Sequence, residues 1–282
     1  MTKCFFVSDL HGHTGRYRKL FALMQEEKPE AVFFGGDLLP HAMKSTAEYT
    51  DFATDFFFPE LQRVKEKLQE AYPEIFLIPG NDDPAIEAGK FIEAAETGIF
   101  HYINNRKISL RGYTVFGYCY IPPTPFTLKD WEKYDVSRYV DPGCTHPTEG
   151  YRSVEPQGNP EFETIKKDLD VLTEGEDLSG AIFLFHSPPY NTHLDRAALD
   201  GKTVDYVPLD VHVGSIAIKR LIDERQPHLT LHGHIHESTR ITGHWKQQFQ
   251  NTCSFNAAHD GPELSVIVFG LESPGDSERR LL

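Results

Sequence analysis

The sequence predicts an α/β fold on three observations. Short apolar runs alternate with segments of helical spacing, each run has a length that suits a strand buried on both faces, and each opens directly into polar residues. The first run, residues 4–7, leads into Ser8-Asp9-Leu10-His11, after which Tyr17, Leu20, Phe21 and Met24 recur at the spacing of one helix face. The second, 31–34, leads into Gly35-Gly36-Asp37, and Leu61, Val64 and Leu68 mark the next helix. The third, 75–78, leads into Pro79-Gly80-Asn81-Asp82, ahead of Ile86, Phe91 and Ile92. Residues 106–110 and 113–118 flank Arg111-Gly112 and read as a hairpin, which adds antiparallel pairing. The fourth run, 181–185, ends at His186, and Ile216, Leu221 and Ile222 mark a further helix. The fifth, 229–231, leads into His232-Gly233-His234-Ile235-His236, and residues 245–250 and 264–269 read as the last strands.

One domain is expected over residues 1–272. Residues 121–160 are rich in Pro, Gly and aromatics without a sustained period, so an irregular excursion is expected there, as a cap or substrate wall. Residues 273–282 combine turn formers with charges and are expected to form a flexible tail.

Composition narrows the function classes. Among 282 residues, 42 acidic against 28 basic side chains give a net charge of −14, which argues against nucleic acid as a partner, since a polyanion binder needs a basic stripe. No apolar run approaches the roughly 20 residues that cross a bilayer. The start, MTKCFFVSDLHGH, lacks the pattern of a secretion signal, so a cytoplasmic protein without membrane contact is expected. Cys4, Cys119, Cys144 and Cys253 form no CxxC pair and read as reduced structural residues.

The strand ends carry the chemistry. In an α/β layer structure, ligands collect beyond the carboxyl ends of parallel strands, so Asp9, His11, Asp37, Asn81, His186, His234 and His236 should converge. Oxygen and imidazole donors without thiolates suit divalent Mn, Fe, Co, Ni or Zn, whereas calcium or magnesium favours an all-oxygen set. Seven donors exceed one tetrahedral ion. If one carboxylate bridges, they divide into two sets of four, and Asp37 is the candidate bridge.

With those motifs in order, the chain resembles the calcineurin-like metallophosphoesterase superfamily, whose pattern D-x-H-G, G-D, G-N-H-[DE], H and G-H-x-H is met by Asp9-Leu10-His11-Gly12, Gly36-Asp37, Gly80-Asn81-Asp82-Asp83, His186 and Gly233-His234-Ile235-His236. The resemblance implies a four-layer α/β/β/α sandwich of two mixed β-sheets flanked by helices. It also implies two divalent ions, one held by Asp9, His11, Asp37 and His236, the other by Asp37, Asn81, His186 and His234. The implied reaction is hydrolysis of a small phosphate ester, most simply a phosphodiester, by in-line attack of metal-bound hydroxide, with Asn81 also touching substrate. A protein phosphatase, a nuclease of the same fold and an inactive metal-stabilised scaffold are the alternatives.

One position departs from the family. Asp82 stands where the family has its catalytic histidine, and a carboxylate does that work only with a raised pKa. His13 and His193 are the expected substitutes, the first for its closeness to His11, the second because Pro188-Pro189-Tyr190-Asn191 could turn it back toward His186. A narrower resemblance, to prokaryotic and brain-type phosphodiesterase members, rests on His186-Ser187-Pro188-Pro189 with Asp195, then His212-Val213-Gly214-Ser215. There a helix start is expected to bind the substrate anion, with His212 and Ser215 beside it.

Overall fold

The computed structural model describes residues 1–41 and 49–282. Two mixed six-stranded sheets face each other, with helices on both outer faces. The first sheet contains β1 (Lys3–Val7), β2 (Ala31–Phe34), β3 (Glu74–Leu77) and β4 (His101–Tyr102), all parallel, and then β13 (Ser265–Gly270) and β14 (Ser273–Leu281), in the order β14-β13-β1-β2-β3-β4. The second contains β5 (Arg106–Leu110), β6 (Tyr113–Tyr118), β7 (Ala181–Phe185), β10 (Leu229–His232), β11 (Lys246–Phe249) and β12 (Thr252–Asn256), in the order β11-β12-β10-β7-β6-β5. A small hairpin, β8 (Thr203–Val204) and β9 (Val207–Pro208), stands apart.

Alternation along each strand builds the layers, because successive side chains leave a strand on opposite faces. From β1 and β2, Phe5, Val7, Val32 and Phe34 pack against α1 (Thr14–Glu27), α2 (Phe58–Leu68) and α3 (Ala88–Glu96). Their neighbours Cys4, Phe6, Ala31 and Phe33 point the other way and meet Ile182, Leu184, Leu229 and Leu231 of the second sheet. Beyond that sheet, Phe116, Phe183 and Phe185 pack against α4 (Ile165–Leu172) and α5 (Ile216–Arg225). The core runs expected as strands are therefore continuous apolar stretches because both faces are covered. The hairpin turns on Arg111 (φ 50°) and Gly112 (φ 92°), the positive-φ pair of a tight two-residue turn.

Two expectations about the chain need correction. Residues 273–282 are no flexible tail: β14 pairs antiparallel with β13, and Leu264 and Leu282 exchange backbone hydrogen bonds of 2.9 and 3.0 Å. Arg280 reaches Glu27 of α1 at 2.5 Å and ties the strand down. An edge strand tolerates the proline and charges that made this segment read as loose. In the third helical segment only Phe91 is buried; Ile86 and Ile92 are exposed, since Ile86 lies in a 3-10 turn before α3.

Residues 121–160 are irregular but not detached. Lys129 and Glu132 form a fully buried ion pair at 2.5 Å, Trp131 donates from Nε1 to the Asp83 carbonyl at 2.6 Å, and Asp130 accepts from the Ala85 backbone at 2.7 Å. The excursion buttresses the loop after β3 from behind. The four cysteines are unpaired, and burial raises the thiol pKa of Cys4 to about 12 and those of Cys144 and Cys253 to about 11.

Candidate metal centre

The turns after β1, β2, β3, β7 and β10 place all seven predicted donors in one region. Asp9, His11, Asp37 and His236 form one group whose ligand atoms lie within 4.8 Å of one another, and Asp37, His186 and His234 form another. Asn81 joins the second through its Oδ1, 3.0 Å from His186 Nε2. Asp37 is the member common to both, with Oδ2 3.8 Å from His11 Nε2 and 3.4 Å from His186 Nε2.

Sharp turns aim these side chains. Asp9 (φ 57°), His11 (φ 45°), Asp37 (φ 52°) and His234 (φ 69°) hold left-handed backbone, a region that costs a non-glycine residue about 1–3 kcal/mol. Neighbouring loops hold them there: the backbone N–H groups of Asp9, His11 and Gly12 donate to Gly36, Asp37 and Leu38 at 3.0, 2.8 and 2.9 Å. Glycine is required at two contacts, since a Cβ on Gly80 would collide with the Asp37 carboxylate and one on Gly233 with the side chains of Ser8 and Asp9.

A buried carboxylate braces the second and third loops. Asp83 accepts from Leu38 N at 2.9 Å, Leu39 N at 2.8 Å and Gly80 N at 2.8 Å. Burial first, then the nearby Asp37 charge, raise its pKa to about 7.

The donor set fits cations. His186 Nδ1 donates to the Gly35 carbonyl at 2.7 Å, so in the neutral ring Nε2 is a lone pair, facing the oxygens of Asn81 and Asp37. Likewise His236 Nε2 lies 3.1 Å from both His11 Nε2 and Asp9 Oδ1. Electron pairs converging in this way need positive charge between them. The carboxylates draw positive charge to this point: burial opposes charge on His186, yet Asp37 and Asp9 overcome it and raise the pKa to about 10, so the ring holds on Nε2 a proton that a cation would displace. Asp37 itself is held well below the usual carboxylate range, because its imidazole neighbours outweigh burial. Desolvation lowers His11 to about 4 and His234 to about 3, so these rings are neutral and suited to ligation.

Other predicted residues divide. His13 stands at the N-cap position of α1, without a side-chain cap hydrogen bond, and lines a cavity of about 740 Å³ together with His11, Arg16, His41 and His236. Asp82 donates its backbone N–H to Asp37 Oδ1 at 2.8 Å, and its carboxylate lies beside that cavity's histidines, 3.1 Å from His41 Nδ1. Burial and the charges of Asp37 and Asp83 raise its pKa to about 7. His193 is not brought to the centre: it is exposed, lies against His244 with ring centroids 4.4 Å apart and planes tilted by 31°, and donates its backbone N–H to Gln247 Oε1. Its Pro-Pro approach turns instead around Asp195.

The anion site expected at His212 and Ser215 is already filled by the chain. Asp135, from the irregular excursion, accepts from Ser215 Oγ, Ile216 N and Ala217 N at 2.7, 2.6 and 3.2 Å, which satisfies the start of α5. His212 donates from Nδ1 to buried Asp195 at 2.8 Å. Neither residue lines the 740 Å³ cavity, and none of residues 121–160 does.

Sequence reasoning missed His41. Its ring stacks on His11, with centroids 4.4 Å apart and planes 14° apart. The one local signal is Pro40-His41, close behind Asp37 in the sequence. Arg16 was missed as well; its guanidinium donates to the Asp9 carbonyl at 3.0 Å.

Residues 2–238 match the family model of calcineurin-like phosphoesterases. No curated protein matches the chain. Among solved structures, TT1561 of Thermus thermophilus superposes with a TM-score of 0.57 at 18% identity, over 99% of this chain and 98% of that one. A dimetal phosphatase from Danio rerio superposes with a TM-score of 0.52 at 10% identity, over 94% of each chain. These likenesses are of fold. The matched family model and the Asp/His clusters together lead to one conclusion: the chain belongs to the calcineurin-like phosphoesterases, hydrolases of phosphate esters that use divalent metal ions.

Proposed function

We propose that the protein is a dinuclear-metal phosphodiesterase acting on a small or nucleotide-like ester. The observation that supports this most is the position of Asp37 Oδ2 between two donor groups, within 4 Å of an imidazole from each. Asp9, His11, Asp37 and His236 would hold one ion, and Asp37, Asn81, His186 and His234 the other. Bound there, a pair of divalent ions would neutralise charge on the phosphoryl oxygens and make a water acidic enough to attack phosphorus in line. The name of the Danio rerio neighbour, a dimetal phosphatase, accords with two ions.

The chain's own groups set the geometry. The Asp82 N–H engages Asp37 Oδ1 and leaves Oδ2 to be shared. The His234 N–H holds both oxygens of Asp9 at 3.1 Å. His186 is fixed as the Nδ1–H tautomer by Gly35, which turns Nε2 to the centre. His236 is half-buried at the cavity and offers the open side from which an ester enters.

A net charge of −14 accords with a small substrate better than with a nucleic acid. Free cysteines accord with a cytoplasmic setting. Among the described residues, no helix is long and apolar enough to cross a membrane.

The test is metal stoichiometry with turnover. Wild-type protein should bind two Mn²⁺ and hydrolyse bis(p-nitrophenyl) phosphate, and Asp37→Asn should lose turnover by about a thousandfold or more together with at least one ion. Two bound ions without turnover on any diester or monoester would favour the inactive scaffold.

A further inference from the structure

Asp82 has two carboxylate oxygens, and each faces a different metal group. Oδ1 accepts from Asn81 Nδ2 at 3.1 Å. That bond fixes the rotation of the Asn81 amide, so that its Oδ1 points to His186 Nε2 and the second group. Oδ2 lies 3.1 Å from His41 Nδ1 and 3.7 Å from His11 Nδ1. The His11 Nδ1 is buried and has no hydrogen-bond partner among the described residues, while its Nε2 faces the first group. His41 and His11 are stacked nearly parallel, so one carboxylate stands at the same edge of two rings.

We infer that Asp82 is a positioning residue that braces one ligand of each metal group, Asn81 in one and His11 in the other, with His41 holding the brace. The inference rests on the two-ion reading above. A histidine that ligates through one ring nitrogen needs a partner at the other to fix tautomer and ring orientation, and a carboxylate is a usual partner. A small movement of the Asp82 side chain brings Oδ2 from 3.7 Å to hydrogen-bond distance of the His11 Nδ1–H. An amide ligand needs the same help, because a flipped Asn81 would aim its NH₂ group at the cation. The exchange of the family's histidine for Asp82 then brings in a brace for the ligands.

The test measures Mn²⁺ binding by calorimetry in the full-length protein, alongside turnover of an aryl and an alkyl phosphodiester. Asp82→Ala should weaken binding at both sites by about 10- to 100-fold, the range for loss of a ligand's hydrogen-bond partner. Asp82→Asn keeps an acceptor for Asn81 and should restore the second site alone. His41→Ala should give a smaller loss. At saturating Mn²⁺ the aryl-to-alkyl rate ratio should match that of wild type. Circular dichroism and melting of the metal-free variants check folding, and Asp82→Asn serves if Asp82→Ala misfolds.

Undiminished affinity in Asp82→Ala, or a loss confined to the alkyl ester with both ions bound, overturns the brace. A third ion in wild type that disappears in His41→Ala also overturns it, in favour of a separate cation site. Fewer than two ions in wild type sinks the two-ion reading, and the brace falls with it.

Discussion

Two aspartate–histidine clusters of similar composition behave in opposite ways. Around Asp195 every acceptor meets a donor: the carboxylate takes N–H bonds from Asn191, Thr192 and Gly214 at 2.9, 2.9 and 3.1 Å, and the Nδ1–H of His212 at 2.8 Å. Around Asp37 the pairing is incomplete: His11 Nε2 faces His236 Nε2 at 3.1 Å, and the buried His11 Nδ1 has no hydrogen-bond partner among the described residues. The satisfied cluster stabilises a turn; the unsatisfied one invites a cation. Residue type alone does not separate the two, but the match of donors to acceptors does.

The contrast predicts unequal costs. Asp195→Ala leaves two buried N–H groups, those of Thr192 and Gly214, without a partner and should destabilise the metal-free protein by about 4 kcal/mol, whereas His236→Ala should cost under about 1 kcal/mol. Chemical denaturation in chelator measures both, and equal costs would erase the distinction. Added metal should reverse the ranking: Mn²⁺ at a hundred times its Kd stabilises by about 2.7 kcal/mol per site, a gain Asp195→Asn keeps and His236→Ala largely loses at one site. Thermal melts with and without Mn²⁺ read this directly.

Smaller effects sharpen the same comparison. Asp135→Ala should cost about 2 kcal/mol by uncapping α5, with metal stoichiometry unchanged. His232 is a third case, satisfied yet pH-sensitive. Its Nδ1 donates to the Ser187 carbonyl and its Nε2 pairs with Thr230 Oγ1, both at 2.8 Å, and burial lowers its pKa to about 3. Above pH 6.5 the ring is neutral folded or unfolded and adds no pH dependence. Between about 6.5 and 3 the unfolded chain takes a proton that the folded one refuses, so stability falls as pH falls. In His232→Asn the acid-side slope should shrink by up to about 1.4 kcal/mol per pH unit; an unchanged slope would show that the ring titrates freely.

Much of the fold was legible because each buried strand is a continuous apolar run that stops at a ligand type, as at Phe34 before Gly35-Gly36-Asp37. The convergence of the seven donors followed from parallel strands ending on one side. What escaped depended on partners distant in sequence. The helix start at Ser215 looked open because its anion, Asp135, lies 80 residues earlier. His41 looked ordinary because Asp82, which holds it, comes from another loop. Residues 273–282 looked loose because a β-edge needs backbone pairing more than apolar content.

The left-handed turns at Asp9, His11, Asp37 and His234 carry a practical warning for engineering. Glycine at any of them would relax the backbone and delete a donor in one step. A directed-evolution campaign scored on heat tolerance alone would therefore drift toward hardier, inert proteins, and selection for this chain has to include turnover from the first round.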